Sequence, residues 1–202
     1  MKTRQLFLYG ASGHGKVLIE IAECLGHNIG GIVDDNPAIQ DLLGYEVNGN
    51  IAVLDNDFWI IGIGNNRIRK KVVQKESLSY DTLIHPSAII SPRATIGIGT
   101  VIMAGVTLNV DVQVGKHCII NTNASIDHDC VIEDYVHVSP NASLAGNVHV
   151  GEGTHIGIGA TVIQGITIGK WCTIGAGAVI IRDVPDGATV VGNPGRVIKS
   201  NI

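Results

Sequence analysis

The stretch Ile-Asp-His-Asp-Cys-Val-Ile-Glu-Asp-Tyr-Val-His-Val at 126–138 decides the fold, because an aliphatic residue stands at every sixth position. The same phase continues without a slip from Ile84 to Ile180. The residue four places later is mostly small, as in Ala124 and Cys130. A period of six fits neither the roughly 3.6-residue repeat of a helix nor the alternation of a simple strand. It predicts a solenoid of short strands, each pointing one aliphatic residue into a prism.

Three such strands would complete one triangular coil, so residues eighteen apart are expected to lie above one another. Glycine directly follows the aliphatic residue at several positions, and we expect sharp turns there because glycine has no Cβ atom. These positions are Gly97, Gly115, Gly151, Gly157, Gly169 and Gly175. The pattern resembles the hexapeptide-repeat acyltransferases. That resemblance implies a left-handed parallel β-helix, in contrast to the usual right-handed crossover.

Composition and charge narrow the class of protein. Of the 202 residues, 45% are hydrophobic and 16% are charged, which is enough apolar material for a globular core. The net charge of −4 provides no basic field for nucleic acid or an anionic membrane. No apolar run is long enough to span a bilayer, and no signal-type segment is present. Cys118, Cys130 and Cys172 fall at the small position of the repeat, so we expect buried, reduced thiols and a cytoplasmic protein.

The first eighty residues show a different pattern, in which strands alternate with helices. Buried strands are predicted at 5–9, 29–33 and 58–61, with an amphipathic helix after the first and another over 67–75. This alternation indicates a small α/β unit with a parallel sheet. The basic residues of the second helix are interpreted as a solvated face; they are Arg67, Arg69, Lys70 and Lys71.

A glycine-rich loop joins the first strand to the first helix, in the segment Gly10-Ala-Ser-Gly-His-Gly-Lys at 10–16. Such a loop lets the backbone approach a phosphate at a helix N-terminus, where free N–H groups favour an anion. Asp34 and Asp35 end the second strand, where such folds hold a ribose or base. The glycine spacing differs from the dinucleotide fingerprint, and no substrate domain for hydride transfer follows. A nicotinamide dehydrogenase is therefore disfavoured, and a purely structural turn stays open.

The combination of this head with the repeat resembles one family. The carrying motifs are Tyr-Gly-Ala-Ser-Gly-His-Gly-Lys-Val at 9–17, Asp34-Asp35, Ile-Gly-Asn-Asn-Arg-Ile-Arg-Lys-Lys at 63–71 and Ile-His-Pro-Ser-Ala at 84–88. They are similar to the nucleotide-sugar acetyltransferases of surface-glycan synthesis, especially those of the UDP-N-acetylbacillosamine type, in the sialic acid O-acetyltransferase superfamily. The resemblance implies a Rossmann-like nucleotide-sugar-binding domain at 1–80 and an acetyl-CoA-binding catalytic β-helix at 81–202.

The same resemblance implies an enzyme that moves acetyl from acetyl-CoA to the 4-amino group of a UDP-linked amino-dideoxy sugar. Relatives that acetylate GDP-perosamine or sialic acid supply the alternative acceptors. The residues implied at or near the nucleotide-sugar site are Gly10, Gly13, His14, Asp34, Asp35, Gly64 and Asn65. Family members are homotrimers with acetyl-CoA between neighbouring helices, so each site would combine residues of two chains.

His128 is the candidate general base. It follows the inward Ile126 by two residues, near a corner and between Asp127 and Asp129. Imidazole suits proton removal from an attacking amine near neutral pH, and a neighbouring carboxylate can fix its tautomer. The family's base sits in a matching segment. Both aspartates stay open as the orienting partner, with Asp127 preferred.

Other site residues depend on stacking and on the family match. Gly146 lies eighteen residues after His128, so its N–H is expected one coil away, where it can hold a developing oxyanion. Asn121 matches the family's substrate-contacting asparagine, and His137 matches a residue near the acetyl thioester. His137 and His155 are expected to stack at a corner. The cofactor-binding end is implied at Ile158, Gly175, Ala176 and Gly177.

Two other classes of protein could share this fold. Zinc carbonic anhydrases share the repeat, but their three converging histidines have no counterpart here, since the closest pair in the repeat is His149 and His155. No metal is therefore expected. A non-catalytic nucleotide-sugar-binding scaffold on the same fold remains as the alternative outside enzymes.

Overall fold

The computed structural model describes residues 4–49 and 57–200 of the chain. The N-terminal unit, called the head below, contains one sheet and two helices. Its elements are β1 Leu6–Tyr9, α1 Gly13–Cys24, β2 Ile29–Val33, β3 Asp41–Leu42, β4 Tyr45–Asn48, β5 Phe58–Ile61 and α2 Asn66–Lys75. The strand order is β3-β4-β2-β1-β5, and the pairs are parallel except for the β3–β4 hairpin. The predicted α/β unit is confirmed.

The rest of the chain forms a parallel β-helix of two-residue strands, closed by a short hairpin. The strands are β6 Leu83–Ile84, β7 Ile89–Ile90, β8 Thr95–Ile96, β9 Val101–Ile102, β10 Thr107–Leu108, β11 Gln113–Val114, β12 Ile119–Ile120, β13 Ser125–Ile126, β14 Val131–Ile132, β15 His137–Val138, β16 Ser143–Leu144, β17 His149–Val150, β18 His155–Ile156, β19 Thr161–Val162, β20 Thr167–Ile168, β21 Thr173–Ile174, β22 Val179–Ile180, β23 Thr189–Val191 and β24 Arg196–Lys199. Strands eighteen residues apart pair in register, as Ile119 does with His137.

These strands build the three faces of a prism. Face 1 has the order β24-β23-β21-β18-β15-β12-β9-β6, face 2 has β22-β19-β16-β13-β10-β7, and face 3 has β20-β17-β14-β11-β8. The chain passes from face 1 to face 2, then to face 3 and back, so the three edges are called 1–2, 2–3 and 3–1. Edge 2–3 is opposite face 1 in a triangular prism. Residues on edge 2–3 and residues on face 1 of the same chain are therefore on opposite sides of the prism.

The inward positions fill the prism, as the period of six predicts. From Ile102 to Ile180 every sixth residue is buried in one continuous core with the small residues that follow. The three cysteines are part of this core, and each thiol contacts a backbone carbonyl of the next turn, such as Cys118 Sγ with the Glu133 oxygen at 3.1 Å. Burial raises the pKa of Cys118 to about 12. The expectation of buried, reduced thiols is confirmed.

The sharp turns at the corners do not fall at the glycines where the sequence predicts them. The left-handed φ angles fall three residues after the inward aliphatic residue, as at Asp129 (60°) and Tyr135 (59°), and not at the glycines directly after it. Those glycines serve a steric purpose, because a Cβ on Gly97 would lie 2.5 Å from the Gly115 carbonyl carbon. The same holds at Gly151, where the Gly169 carbonyl carbon is 2.7 Å away. Close approach of successive coils therefore explains the glycines that the sequence assigned to turns.

The head packs on the upper part of face 1. The outward residues Leu83, Val101 and Ile119 share a buried cluster with Leu18 and Ile21 of α1. An isolated bridge joins Trp59 of β5 to Tyr80, shortly before β6. The boundary near residue 80 stays a proposal. No helix in the described ranges is long and apolar enough to cross a bilayer.

Candidate active site

His128 lies on edge 2–3 and makes a defined hydrogen bond. Its Nδ1 lies 2.7 Å from Asp129 Oδ2, and about half of each side chain is exposed. A carboxylate only accepts hydrogen bonds, so the Nδ1 atom carries the proton and Nε2 keeps a lone pair. The hydrogen bond to Asp129 and the charge of Asp127 raise the pKa of His128. The ring is therefore arranged to accept a proton at Nε2.

The orienting carboxylate is Asp129, and the preference for Asp127 is wrong. Asp127 Oδ1 accepts hydrogen bonds from the His128 backbone N–H at 2.8 Å and from Asn109 Nδ2 at 2.7 Å. These two bonds lower the pKa of Asp127 and hold its side chain against the backbone. Asp129 instead sits in the left-handed region, which turns its carboxylate towards the ring. Asp127 fixes the loop, and Asp129 fixes the imidazole.

Gly146 lies directly under the His128 ring, as the spacing of eighteen predicts. A Cβ on Gly146 would be 2.5 Å from His128 Cε1 and 2.6 Å from Nε2. The backbone of the following residue donates to the His128 carbonyl, which fixes the two coils relative to each other. Within the described parts of the chain no acceptor pairs with the Gly146 N–H. A residue whose N–H has no acceptor among the described residues thus packs against the ring of the candidate base.

A second set of polar side chains lies on face 1 and on edge 1–2. Asn121 Oδ1 accepts from the Thr122 N–H at 2.8 Å, which fixes the orientation of the amide. Its Nδ2 therefore donates to His137 Nε2 at 3.1 Å, so the proton of the neutral His137 ring is on Nδ1. Burial, followed by the neighbouring His155 and Arg69, lowers the pKa of His137 to about 3. His137 is a neutral donor and not a base.

His155 continues this row one coil below. The rings of His137 and His155 are stacked 4.8 Å apart and nearly parallel, as expected, although on a face and not at a corner. His155 Nε2 contacts the Ser139 hydroxyl at 2.8 Å, and burial lowers the pKa of His155. Below them the outward residues are Thr173 and Thr189. The face thus changes from apolar under the head to polar where the head ends.

The other histidines have structural settings. His117 is buried between Tyr80 and Tyr135, with ring centroids 4.7 and 5.4 Å away, and burial lowers its pKa to about 4. His149 Nε2 contacts Glu133 Oε1 at 2.9 Å on face 3. Within residues 4–49 and 57–200 no group of histidines, cysteines or carboxylates converges as a metal site would.

In the head, the loop residues are brought together at the carboxyl ends of the strands. Asp34 Oδ2 accepts from the Ala11 N–H at 2.7 Å, and Asp35 Oδ1 accepts from the Tyr9 hydroxyl at 3.0 Å. Gly10 has a φ of 110° and packs against the second glycine loop, so its identity is required by the fold. A Cβ on Gly13 would meet nothing within 4 Å. Open space therefore remains at the N-terminus of α1.

His14 and the 64–65 loop face the β-helix. The His14 Nε2 atom is buried without a hydrogen-bond partner in the described structure, and burial lowers the pKa of His14 to about 4. Asn65 Oδ1 caps α2 by accepting from the Ile68 N–H at 3.0 Å. The Gly64 carbonyl accepts from Arg69 at 3.2 Å. These predicted substrate contacts thus also hold the loop in place.

Two cavities border these residues. One of about 620 Å³ lies between the start of α2 and the lower part of face 1. Its wall includes Asn65, Arg67, His137, His155, Trp171 and Lys199. The other, of about 510 Å³, lies beside Asp34 and Asp35 in the head. The first is lined by cationic groups and a helix N-terminus, which favours an anionic ligand.

The sequence-predicted residues therefore fall into three groups on one chain. His128, Asp127, Asp129 and Gly146 occupy edge 2–3, and the head holds the loop residues. Asn121 shares edge 1–2 with the predicted cofactor residues Ile158, Gly175, Ala176 and Gly177, next to His137 on face 1. The head sits on face 1, opposite the edge that carries the base. One chain does not bring the three groups to a single point.

Known protein families match both the head and the β-helix. Residues 5–75 match the PglD N-terminal domain family, and residues 147–182 match the bacterial transferase hexapeptide family of six repeats. A perosamine N-acetyltransferase from Caulobacter crescentus, solved with CoA and GDP-perosamine, is 36% identical with a TM-score of 0.92. The alignment covers 98% of this chain and 99% of that one. The protein is a hexapeptide-repeat acetyltransferase with a PglD-type head.

Two further relatives belong to the same group. The acetyltransferase domain of PglB from Neisseria gonorrhoeae FA1090, solved with acetyl coenzyme A, is 40% identical, with a TM-score of 0.90 and coverage of 98% and 100%. A UDP-N-acetylbacillosamine N-acetyltransferase from Bacillus subtilis is 41% identical over 120 residues. That match covers 50% of this hexapeptide-repeat acetyltransferase and about half, 52%, of the relative. The predicted left-handed β-helix class is confirmed.

The sequence predicts Arg69 and Lys70 on a solvated helix face, and the structure contradicts this for both residues. Lys70 is partly buried and forms an ion pair with Glu152 of the β-helix. Only 1% of Arg69 is exposed. Asn66, three residues earlier on the same side of α2, is also buried and donates to the Gly153 and Thr154 carbonyls. The spacing of three was a usable signal, because it places both side chains on one stripe of the helix.

Proposed function

We propose that this protein transfers the acetyl group of acetyl-CoA to the 4-amino group of a UDP-linked amino-dideoxy sugar. The observation that carries the proposal is the His128 ring, which Asp129 holds with Nε2 free and which packs against Gly146 of the next coil. This arrangement offers a base and an oxyanion donor at one point, which acyl transfer to an amine requires. The relatives that act on amino sugars support the acceptor class.

The proposed reaction is a direct transfer. The amine nitrogen attacks the thioester carbonyl, a C–N bond forms, and His128 Nε2 accepts the proton that the nitrogen loses. The Gly146 N–H stabilises the negative oxygen of the tetrahedral intermediate. When the C–S bond breaks, CoA leaves as the thiolate and His128 returns the proton to it. Asp129 stabilises the imidazolium in between. The buried thiol of Cys130, whose pKa is raised, takes no part as a nucleophile.

We propose that the working site combines two chains of a homotrimer. The head and the neutral donor His137 occupy face 1, whereas the base lies on the opposite edge of the same prism. A sugar held by one head is therefore served by His128 of a neighbouring chain. The resemblance that implies trimers for this family supports the same arrangement.

We expect the three candidate acceptors to be distinguished by turnover. The release of CoA thiol from acetyl-CoA is measured with a UDP-4-amino-4,6-dideoxy-GlcNAc, GDP-perosamine and free sialic acid. The expected result is a kcat/KM for the UDP sugar at least about tenfold above the others. An acceptor without the matching nucleobase would leave polar groups of the nucleotide site unpaired. A higher value for GDP-perosamine, supported as second candidate by the Caulobacter relative, would replace the acceptor but keep the mechanism. No turnover with any of them would contradict the proposal.

Mixed trimers test the two-chain site. One parent carries His128→Ala, and the other carries Asn121→Ala with His137→Ala, so each parent lacks one side of every site. Co-assembled at equal amounts, about a quarter of the sites would pair an intact base with an intact face 1. We expect activity to return to about that fraction of wild type. Activity no higher than the average of the two parents would show that one chain supplies the whole site.

A further inference from the structure

Arg69 carries a buried positive charge that is not paired with a carboxylate. Only 1% of the residue is exposed, and none of the ion pairs among the described residues includes it. All five of its N–H groups are used, four of them by backbone carbonyls. Burial lowers the pKa of Arg69 to about 10, so it stays charged at neutral pH. A buried, unpaired charge is costly, and a purely packing role would be met better by an apolar residue.

Two of the five hydrogen bonds join the head to the β-helix, and the other three stay within the head. Arg69 Nε donates to the His117 carbonyl at 2.8 Å, and one terminal nitrogen donates to the Tyr135 carbonyl at 2.9 Å. The other terminal nitrogen donates to the Ile63 and Gly64 carbonyls at 3.0 and 3.2 Å. The guanidinium therefore holds the 63–64 loop of the head against two successive coils. A lysine could not copy this fork, because its ammonium has three donors on one atom.

Asn66 extends the same contact to a third coil. Its Oδ1 accepts from Arg69 at 2.8 Å, while its Nδ2 donates to the Gly153 carbonyl at 3.0 Å. His117, Tyr135 and Gly153 all have left-handed φ angles and stack on edge 3–1. We call Arg69 and Asn66 with these carbonyls the Arg69 clamp. It fixes the start of α2 along three coils of the prism.

The clamp lies next to the face 1 histidines. Gly64 and Asn65 line the 620 Å³ cavity together with His137 and His155. The charged group beside His137 is Arg69, and its titratable neighbours are His14 of α1 and His155 of β18. Arg69 also lowers the pKa of His14 and His155, after burial itself. The Arg69 cation thus contributes to the lowered pKa values of His14, His137 and His155.

We propose that Arg69 is a positioning residue, which sets the distance between the nucleotide held in the head and the reacting end of the sugar at His137. The inference rests on the proposed function, since it assigns the 64–65 loop to the nucleotide sugar. A second consequence is that His137 remains neutral and keeps its Nδ1 proton for donation. The outer contacts of α2, such as Arg67 above the Trp171 ring at 4.6 Å, then dock the helix without setting the loop.

Steady-state kinetics of Arg69→Lys test the positioning role. We expect the KM for the nucleotide sugar to rise and kcat to fall by about tenfold each, with the KM for acetyl-CoA unchanged within about twofold. Loss of structure alone would reduce the amount of active enzyme and would move neither KM. Lys71→Met on the exposed side of the same helix is the matched control and is expected to be silent. An unchanged sugar KM in Arg69→Lys would overturn the proposal.

Histidine titration by NMR tests the electrostatic role and needs no substrate. In the wild type we expect the His137 and His155 imidazoles both to titrate below the usual histidine range, because burial lowers their pKa values, that of His137 to about 3. In Arg69→Met, where it folds, their pKa values are expected to rise because the cation is gone. Protonation of both rings near pH 6.5 in the wild type would overturn this part. If no amino sugar is acetylated, the proposed function fails, while this measurement still tests the electrostatic effect of Arg69 on the two imidazoles.

Discussion

Replacing His128 with alanine is expected to lower kcat for acetyl transfer on the order of 10³-fold, while nucleotide-sugar binding stays close to wild type. The loss follows because Nε2 is the free basic atom of the ring and no second base contacts the Gly146 N–H. The fold should be unaffected, because about half of the side chain is exposed and it belongs to no core cluster. Rates of CoA release and sugar binding by calorimetry check both parts.

His149→Ala is the matched control for His128→Ala. His149 is also about half exposed and also contacts a carboxylate, but it lies on face 3. We expect less than a twofold change in kcat. Equal losses from both substitutions would mean that imidazole removal acts through stability and not through proton transfer.

The pH dependence of kcat/KM shows whether Asp129 raises or lowers the pKa of His128. Because Asp129 raises the pKa of His128, the ring gains its proton at a higher pH than an isolated histidine, and activity falls as pH decreases through that raised value. Asp129→Asn removes the carboxylate, so the acid limb of kcat/KM should move to lower pH. Asp127→Asn should move it less, since Asp127 contacts the backbone and not the ring. The limb due to the substrate amine is common to all variants and serves as the reference.

The repeat could be predicted from sequence because one physical constraint acts at every sixth residue. An inward position that admits only aliphatic side chains, such as Ile120, Ile126 and Ile132, leaves a signal that survives any change on the surface. The outward positions of face 1 also predict where another part of the chain covers the prism. Leu83, Val101 and Ile119 are apolar where the prism should face water, which marks the surface that the head covers.

The residues of the candidate site could be predicted from the sequence, but their hydrogen-bond partners and burial could not. The choice between Asp127 and Asp129 depended on a left-handed backbone angle and on Asn109 one coil away, neither of which is visible locally. Arg69 was misplaced for a different reason. Its helix buries a polar stripe, and hydrophobic periodicity treats polar residues as outward unless acceptors are known. Here the acceptors are backbone carbonyls of coils far along the chain.

Gly146→Ala is expected to lower kcat by about 10²-fold through a steric effect on the base. The added Cβ would lie 2.5 Å from His128 Cε1, so the ring must swing away and break its hydrogen bond to Asp129. The backbone of Gly146 is outside the left-handed region, so alanine adds no strain there. The melting temperature should change by less than about 2 °C, because the displaced ring moves into solvent.

A double variant separates this steric effect from a direct effect on the oxyanion. The three nearest atoms to the added Cβ all belong to the His128 ring, so in a His128→Ala background the methyl group meets no such obstacle. Gly146→Ala should then cost nothing further, and the two substitutions should be strongly non-additive. A full additional loss in that background would mean that the methyl group disturbs the N–H donor itself. Non-additivity would instead show that residue 146 must be glycine so that the base of the neighbouring coil can lie directly over an oxyanion donor.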